Sequence, residues 1–158
     1  MLYDAGGSVI GAIETIRDIT ERKQAEDRLF QYERIIDESP DFISLVDADG
    51  SYLIINESYM KSLGKRRDEL LGHSIAEVIG ADAFERAGRA RLKQVFAGET
   101  TRYDAWFTLS NNERHFFNVT YSPYRDFNGT ITGAILSSRD LTDLKHAQTE
   151  LEESETRY

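Results

Sequence analysis

The sequence has no cysteine among its 158 residues. Disulfide bonds, thiolate metal sites, cysteine nucleophiles and chromophores attached through cysteine are therefore excluded. No apolar run approaches the ~20 residues that span a bilayer. The first four residues, MLYD, also lack the basic start and apolar stretch of a signal peptide. We therefore expect a cytoplasmic segment that makes no membrane contact of its own.

Positive charge is scarce as well. The chain has 19 Lys and Arg residues against 28 Asp and Glu residues, a formal net charge of −9. A nucleic-acid groove needs clustered Lys and Arg, and an anionic membrane surface attracts the same residues. The charge therefore argues against nucleic-acid and membrane partners. With 40% hydrophobic and 30% charged residues, the composition is typical of a globular domain.

The most informative feature that is present is an internal repeat. Residues 7–29 read GSVIGAIETIRDITERKQAEDRL, and residues 129–151 read GTITGAILSSRDLTDLKHAQTEL. The two copies align without a gap and are identical at ten of 23 positions. Each contains a glycine, a β-branched apolar run that predicts a strand, the tetrapeptide RDIT or RDLT, and a polar helix-forming stretch. The repeat predicts two tandem modules, of which only the second is complete.

The repeat also predicts the domain boundaries. Residues 1–19 are the strand remnant of a preceding module, residues 20–38 a linker helix, residues 39–141 the complete module and residues 142–158 an exit helix. The remnant strand, over residues 9–16, exposes an apolar edge. We expect it to pair with a strand of another subunit or to fold onto the sheet of the complete module.

The order of elements within the complete module predicts an α+β fold. Two short strands join through a turn at residues 47–50, several short helices follow, and three longer alternating strands close the module. Asn56 is a good helix N-cap, and Ser74 and Glu77 have the spacing of a capping box, as do Asp140 and Asp143. The expected fold is a five-stranded antiparallel sheet with short helices on one face, flanked by N- and C-terminal signalling helices.

A series of short segments, taken in this order, resembles PAS sensory domains of the PAS/PAC type. Such domains occur in bacterial or archaeal signalling proteins such as sensor histidine kinases and diguanylate cyclases. The segments are residues 37–41 (DESPD), 47–50 (DADG), 56–59 (NESY), 67–72 (RDELLG), 121–126 (YSPYRD) and 139–142 (RDLT). The resemblance implies a sheet cupped by short helices around a small pocket, and dimerisation through the flanking helices.

The residues that would face this pocket have two interpretations. They simply pack the core, or they also line a small ligand cavity. The candidates are one alternating register of the long strands together with apolar residues of the short helices: Tyr59, Leu63, Ile75, Val78, Tyr103, Phe107, Phe117, Val119 and Tyr121.

Cofactors are restricted by what the chain lacks. Without cysteine, cysteine-linked flavin and cinnamate chromophores are excluded. Haem-binding relatives ligate iron through a histidine on the long helix, at a position near Ala87, and no histidine lies between residues 74 and 114. Haem is therefore not expected, flavin held without a covalent bond stays open, and either no cofactor or a small metabolite is the expectation. His73, His115 and His146 are too scattered to predict a metal site.

The flanking helices carry narrow apolar stripes that predict a homodimer. The residues concerned are Leu29, Tyr32, Ile36, Leu144 and Leu151. Trp106 and Phe116 fall on the strand face opposite the predicted core. Either they are surface aromatics without a role, or that face is covered by the linker helix, a partner subunit or the remnant strand.

These features predict a sensory input module of a multi-domain signalling protein, without catalytic residues of its own. It would bind a small ligand or relay an upstream signal. The signal would pass to an output domain through a junction formed by Arg139, Asp140 and Thr142 and through the exit helix. Its partners would be a second copy of the chain and the neighbouring PAS and output domains. The alternative is a dimerisation and spacer module that binds no ligand.

Overall fold

The computed structural model describes residues 5–6 and 11–157. The chain divides into two compact units, one ending at Asp37 and the other beginning at Glu38. The described part of the first unit is almost entirely helix α1, Gly11–Glu38. Arg17 pairs with Glu21 at 3.2 Å, one helical turn apart, which supports an exposed helix of this kind. The helix ends just before Ser39 and Pro40, as predicted, because proline disfavours helix at the residue before it.

The strand predicted over residues 9–16 is wrong from Gly11 onward, where the backbone is helical. Residues 9 and 10 lie outside the described residues. A lone strand can satisfy its backbone N–H and C=O groups only against a partner, whereas a helix satisfies them within the segment. The linker helix predicted over residues 20–38 therefore begins earlier than expected. The origin of residues 1–19 in a preceding module stays a prediction.

The second unit contains a five-stranded antiparallel sheet, which confirms the predicted α+β fold. Its spatial order is β2-β1-β5-β4-β3, so the last strand in sequence lies at the centre, between β1 and β4. The strands are β1 Phe42–Val46, β2 Tyr52–Ile55, β3 Thr101–Thr108, β4 Arg114–Arg125 and β5 Ile131–Asp140. Central β5 contains Gly133, where a Cβ atom would lie 2.8 Å from the Val46 carbonyl oxygen, so β1 can approach only a glycine there.

Short helices lie between β2 and β3. They are α2 Glu57–Leu63, α3 Arg67–Leu70, α4 Ile75–Ile79, α5 Ala81–Ala83 and α6 Arg89–Phe96, with a π-helical segment Phe84–Gly88 joining the last two. Two predicted caps are confirmed, whereas the capping box predicted for Asp140 and Asp143 is wrong. Asn56 Oδ1 accepts from Tyr59 N at the start of α2, and Ser74 and Glu77 form a reciprocal capping box at the start of α4. The N-cap residue of the exit helix is Leu141, and it makes no side-chain capping hydrogen bond.

The core lies between one face of the sheet and these helices. Buried side chains come from every layer, including Val46 and Tyr52 from the first hairpin, Met60 from α2, Val95 from α6 and Phe117 from β4. Asn56 is fully buried and ties the layers together. Its Oδ1 accepts from Ile43 N at 2.9 Å, and its Nδ2 donates to the Asp41 carbonyl at 2.8 Å. This contact fixes the start of α2 against β1.

The chain leaves the sheet through helix α7, Thr142–Thr156, which begins where the exit helix was predicted. Among the described residues, no helix is both long enough and apolar enough to cross a membrane.

Candidate functional site

A cavity of about 280 Å³ lies between the inner face of the sheet and the helices α2 and α4. It is small compared with the roughly 300–1,000 Å³ of ordinary ligand pockets. All the predicted lining residues border it except Val78. The complete wall consists of Phe42, Ser44, Tyr59, Ser62, Leu63, Ile75, Ile79, Tyr103, Phe107, Thr108, Leu109, Ser110, Phe117, Val119, Tyr121, Leu136 and Ser138.

Val78 was predicted to line the cavity, and this prediction is wrong. Val78 is partly buried and packs against the core beside the cavity, while the next residue, Ile79, lines it. Helix α4 is little more than one turn long, and Ile75 and Ile79 lie four residues apart on the same face. The cavity-facing pair therefore has the four-residue spacing, whereas the prediction chose the three-residue one.

Four of the nine wall residues that sequence reasoning missed lie on β1 and β5. The register places Phe42 opposite Ser138 and Ser44 opposite Leu136. Alternation along β1 places Phe42 and Ser44 on the same face of that strand, and alternation along β5 does the same for Leu136 and Ser138. Only the pairing of β5 with both β1 and β4 brings those faces onto the same cavity.

The polar groups of the wall are all hydroxyls, and several belong to tyrosines. Tyr59 shares a 2.9 Å hydrogen bond with the buried Tyr52 behind it. Burial raises the pKa of Tyr59, Tyr103 and Tyr121 above the ordinary phenol value. These phenols therefore stay neutral at physiological pH, and the wall presents hydrogen-bonding groups without charge.

A cation, the side chain of Arg91, contacts this tyrosine group but is not among the residues that line the cavity. The Arg91 guanidinium lies 3.7 Å from the centre of the Tyr103 ring. Its Nη1 also donates to the Ala87 carbonyl, in the π-helical segment, at 2.6 Å. Both contacts keep the charge outside the cavity.

Within the part of the chain that the structure describes, no histidine lines the cavity and no cluster of residues could hold a metal ion. His73 is exposed and lies 3.2 Å from Glu77. His146 lies on α7, with its ring 6.2 Å from that of Trp106. His115 belongs to the junction described next.

The start of the exit helix is connected to the cavity wall through His115. Its Nδ1 lies 2.6 Å from Asp140 Oδ2, and its ring lies 6.2 Å from that of Phe117 in the cavity wall. Asp140 in turn accepts from the Thr142 backbone N–H at 2.9 Å and from the Thr142 hydroxyl. A direct series of contacts therefore runs from the cavity to the first residue of α7.

Thr142 also binds the sheet. Its hydroxyl accepts from Phe116 N at 2.9 Å, and Leu141 N donates to the Phe116 carbonyl at 2.7 Å. The structure thus brings Asp140 and Thr142 of the predicted junction together beside the first residues of β4. Arg139 is separate from them, because its guanidinium pairs with Asp41 beside β1 at 3.4 Å. Sequence reasoning missed His115 as a junction residue, since its partner lies 25 residues away.

The pKa values of two groups at this junction, His115 and Asp140, differ from their ordinary values. Hydrogen bonds that the His115 ring donates to the carboxylates of Glu113 and Asp140 raise the pKa of His115 above its ordinary value. Partial burial would raise the pKa of Asp140, but hydrogen bonds from Thr142 and His115 outweigh it and hold the pKa below its ordinary value. Each shift favours the charged form of its group, so the pair is stabilised as an ion pair.

The outer face of the sheet is covered in part by α7. Trp106 and Phe116 contact each other at 5.2 Å between ring centres. Lys145 Nζ lies 5.2 Å from the Phe116 ring, and His146 lies beside Trp106. The exit helix was not among the covers predicted for this face. It reaches the face because Leu141 and Thr142 bind Phe116, near the start of β4.

The helix residues predicted to form a dimer are mostly exposed in the single chain. Leu29 and Tyr32 on α1 are 63% and 61% exposed, and Leu144 and Leu151 on α7 are 58% and 60% exposed. Ile36 is half-buried. Large apolar side chains exposed to this degree are available for contact with another chain.

Comparison with known proteins identifies the family. A sequence profile described as the PAS fold matches residues 36–146, which include the sheet, the cavity and the start of the exit helix. The chain therefore belongs to the PAS fold family, a class of sensory domains.

The chain is similar to the virulence sensor protein BvgS of Bordetella pertussis. It is 33% identical over 135 residues, which cover 80% of this chain and 11% of that protein. The chain thus spans about a tenth of the length of the curated relatives that it matches.

Solved structures show the same fold. The PAS domain of Bordetella pertussis BvgS has a TM-score of 0.60 at 29% identity, covering 81% of this chain and 98% of that one. The PAS domain of an HTR-like protein from Haloarcula marismortui has a TM-score of 0.61 at 22% identity, covering 77% of this chain and 98% of that one.

Proposed function

We propose that this chain is the sensory input segment of a longer cytoplasmic signalling protein. Occupation of the cavity, or a signal from a preceding domain, would change the position or pairing of α7, which would lead into an output domain. The segment itself would carry no catalytic activity. The observation that supports this most directly is the contact series from Phe117 through His115 and Asp140 to Thr142.

A relay requires that the cavity wall and the exit helix influence each other energetically. The wall and the junction share two strands, since Phe117 and His115 are on β4 and Ser138 and Asp140 are on β5. Phe117 is paired with Asp140 across these strands. A displaced Phe117 ring would therefore act on His115 beside it and on strand β5, which carries Asp140.

A double-mutant cycle on the whole chain tests this coupling. The pair is Phe117→Leu with Asp140→Ala, and the measured quantity is the free energy of unfolding in urea. We expect an interaction energy above about 0.5 kcal/mol, as is typical of residues joined by a shared partner. The matched control pairs Phe117→Leu with Thr149→Ala, further along α7, where Thr149 bonds only the helix backbone at Lys145.

The control pair should be additive within roughly 0.3–0.5 kcal/mol, as distant sites usually are. If the Phe117 and Asp140 substitutions are as additive as the control pair, the cavity and the helix start are not coupled through the junction, and the relay is wrong.

A second candidate function is a dimerisation and spacer module without a ligand. The exposed apolar side chains of α1 and α7 favour it, and they support homodimer formation under either proposal. The two candidates differ in the cavity. A sensory pocket takes up a small molecule, whereas a spacer does not, so the binding experiment in the next subsection separates them.

A further inference from the structure

One buried polar side-chain atom in the cavity wall has no hydrogen-bond partner among the residues that the structure describes. Ser44 is 1% exposed, and its Oγ makes no hydrogen bond with any described residue. Thr101 Oγ1 is in the same state, but Thr101 is not part of the wall. An unsatisfied buried hydroxyl lowers stability, and an apolar residue of similar size would avoid that loss. The position of Ser44 therefore points to a partner that is not part of the chain.

Several other polar groups around the cavity have a partner or are exposed to water. Tyr59 bonds to Tyr52, and the Ser62 hydroxyl donates to the Tyr59 carbonyl at 2.7 Å. Thr108 and Ser110 are exposed at the rim, where water can satisfy them. Ser44 is thus distinguished from its neighbours, and it lies inward on β1, in register with Leu136 on the central strand.

The character of the wall restricts what that partner can be. The wall contains no charged side chain, and Arg91 is held outside it against Tyr103. A carboxylate or a phosphate would lose its hydration without gaining a counter-charge. The aromatic side chains, which include Phe42, Phe107 and Phe117, favour a flat apolar body.

Size gives a further limit. The 280 Å³ cavity has the volume of roughly nine liquid water molecules. It has room for a molecule built around one ring, and it is too small for an extended cofactor such as a dinucleotide.

We propose that the cavity binds a small, uncharged, single-ring molecule whose one hydrogen-bonding group pairs with Ser44 Oγ. This proposal names the ligand class for the sensory function proposed above, and it rests on the ligand-binding part of that function. Ser44 is a specificity residue in this arrangement, because it distinguishes a ring that carries a polar group from a plain hydrocarbon.

Three probes of similar size test the proposal by titration of the whole chain at pH 7. Phenol carries a hydroxyl, toluene replaces it with a methyl group, and benzoate carries a charge. We expect phenol and toluene to bind and benzoate to bind at least tenfold more weakly. The Ser44→Ala substitution should weaken phenol binding about 2- to 10-fold, the effect of one neutral hydrogen bond. It should leave toluene binding within about twofold of the original.

Ser62→Ala is the matched control. It removes a wall hydroxyl that is already bonded within the protein, so it should not change the preference between phenol and toluene. Equal weakening of both probes by Ser44→Ala would overturn the role of Ser44. Benzoate binding as tight as that of phenol would overturn the uncharged ligand class. Both results leave a binding cavity in place.

If none of the probes binds at millimolar concentration, the ligand class and the ligand-binding part of the proposed function both fail, and the spacer function is favoured. The double-mutant cycle described above uses no ligand, so the relay between cavity and helix is judged separately.

The stability of the unliganded variant gives an independent readout. Removing an unsatisfied hydroxyl should leave the melting temperature of Ser44→Ala unchanged or raise it by up to about 4 °C. A clear decrease would show that Ser44 Oγ has a stabilising partner in the free protein, which would overturn the proposal.

Discussion

The same sequence pattern occurs twice in this chain, and the two copies have different structures. From Gly11 onward the first copy is a single helix that continues to Glu38. The second copy is strand β5 up to Asp140 and becomes helix α7 only at Thr142. Identical residues, including Gly11 and Gly133 or Asp18 and Asp140, therefore occupy different secondary structures. Local sequence does not choose between strand and helix in this pattern.

Neighbouring strands make the choice. β5 is paired with β4 along its length and with β1 over residues 134–138. Its backbone groups are satisfied across the sheet, and Leu136 is buried on the inner face. From Gly11 onward the backbone of the first copy bonds within helix α1 instead.

The largest expected change in the free energy of unfolding comes from replacing one residue of the second copy by the residue at the matching position of the first. The first copy has Glu14 where the second has Leu136. Leu136→Glu places an unpaired carboxylate in the cavity wall and should destabilise the second unit by about 3–5 kcal/mol. Urea unfolding followed by the fluorescence of Trp106, the single tryptophan, measures this change.

The control for that substitution is Ser137→Thr. It likewise replaces a residue of the second copy by the matching residue of the first, Thr15. Residue 137 points to the opposite face of the sheet, so its effect should stay within about 0.5 kcal/mol. If Leu136→Glu is equally mild, burial on the inner face does not distinguish the two copies.

A smaller effect is expected at the paired aspartates. Asp140→Ala removes the hydrogen bonds from Thr142 and the contact with His115, and it should cost about 1 kcal/mol, the size of a typical net hydrogen bond. Asp18→Ala changes the matching residue within an exposed helix. It should be neutral or stabilise α1 by a few tenths of a kcal/mol, because alanine is the better helix former.

Urea unfolding followed by Trp106 fluorescence reports the change at Asp140, and circular dichroism reports the change at Asp18. Equal losses from the two substitutions would contradict the different roles assigned to the matched aspartates.

The smallest expected effect is a pH dependence at the junction, where His115 on β4 contacts Asp140 of the second copy. The pKa of His115 is raised in the folded protein, so its contribution to stability is complete below the ordinary value of about 6.5. That contribution is lost as pH rises through the raised value. The pKa of Asp140 is lowered, so its contribution is present above about pH 4 and is lost only in stronger acid.

The free energy of unfolding should therefore fall between pH 6 and pH 8, by less than about 1 kcal/mol for so exposed a pair. His115→Asn should remove this dependence. His73→Asn, at an exposed pair with Glu77 away from the junction, should retain it. A fall of equal size in the His115→Asn protein would exclude His115 as its source.

Features that depend on a few adjacent residues were predictable from the sequence. Asn56 as a helix cap and the box of Ser74 and Glu77 were both confirmed, because each involves groups within three residues of one another. Five antiparallel strands were likewise predicted from alternation and turns. The wall positions on long strands, such as Phe117 and Val119, followed from the same alternation.

Features that depend on distant pairing were not predictable. Ser44 and Leu136 face each other only because β5 lies between β1 and β4. His115 became a junction residue through a contact with Asp140, 25 positions away. Helix α7 reaches Trp106 because the residues at the start of that helix bind Phe116, near the start of β4.

The sequence by itself therefore determined the sensory class, the elements of the second unit and most of the cavity wall, because patterns of two to four residues specify strands, turns and caps. Only the tertiary structure decided that one copy of the repeat is a strand and the other a helix. It also decided that Ser44 is left without a partner and that His115 joins the cavity to the exit helix. The physical reason is that backbone and side-chain groups must be satisfied by whichever neighbours the fold supplies.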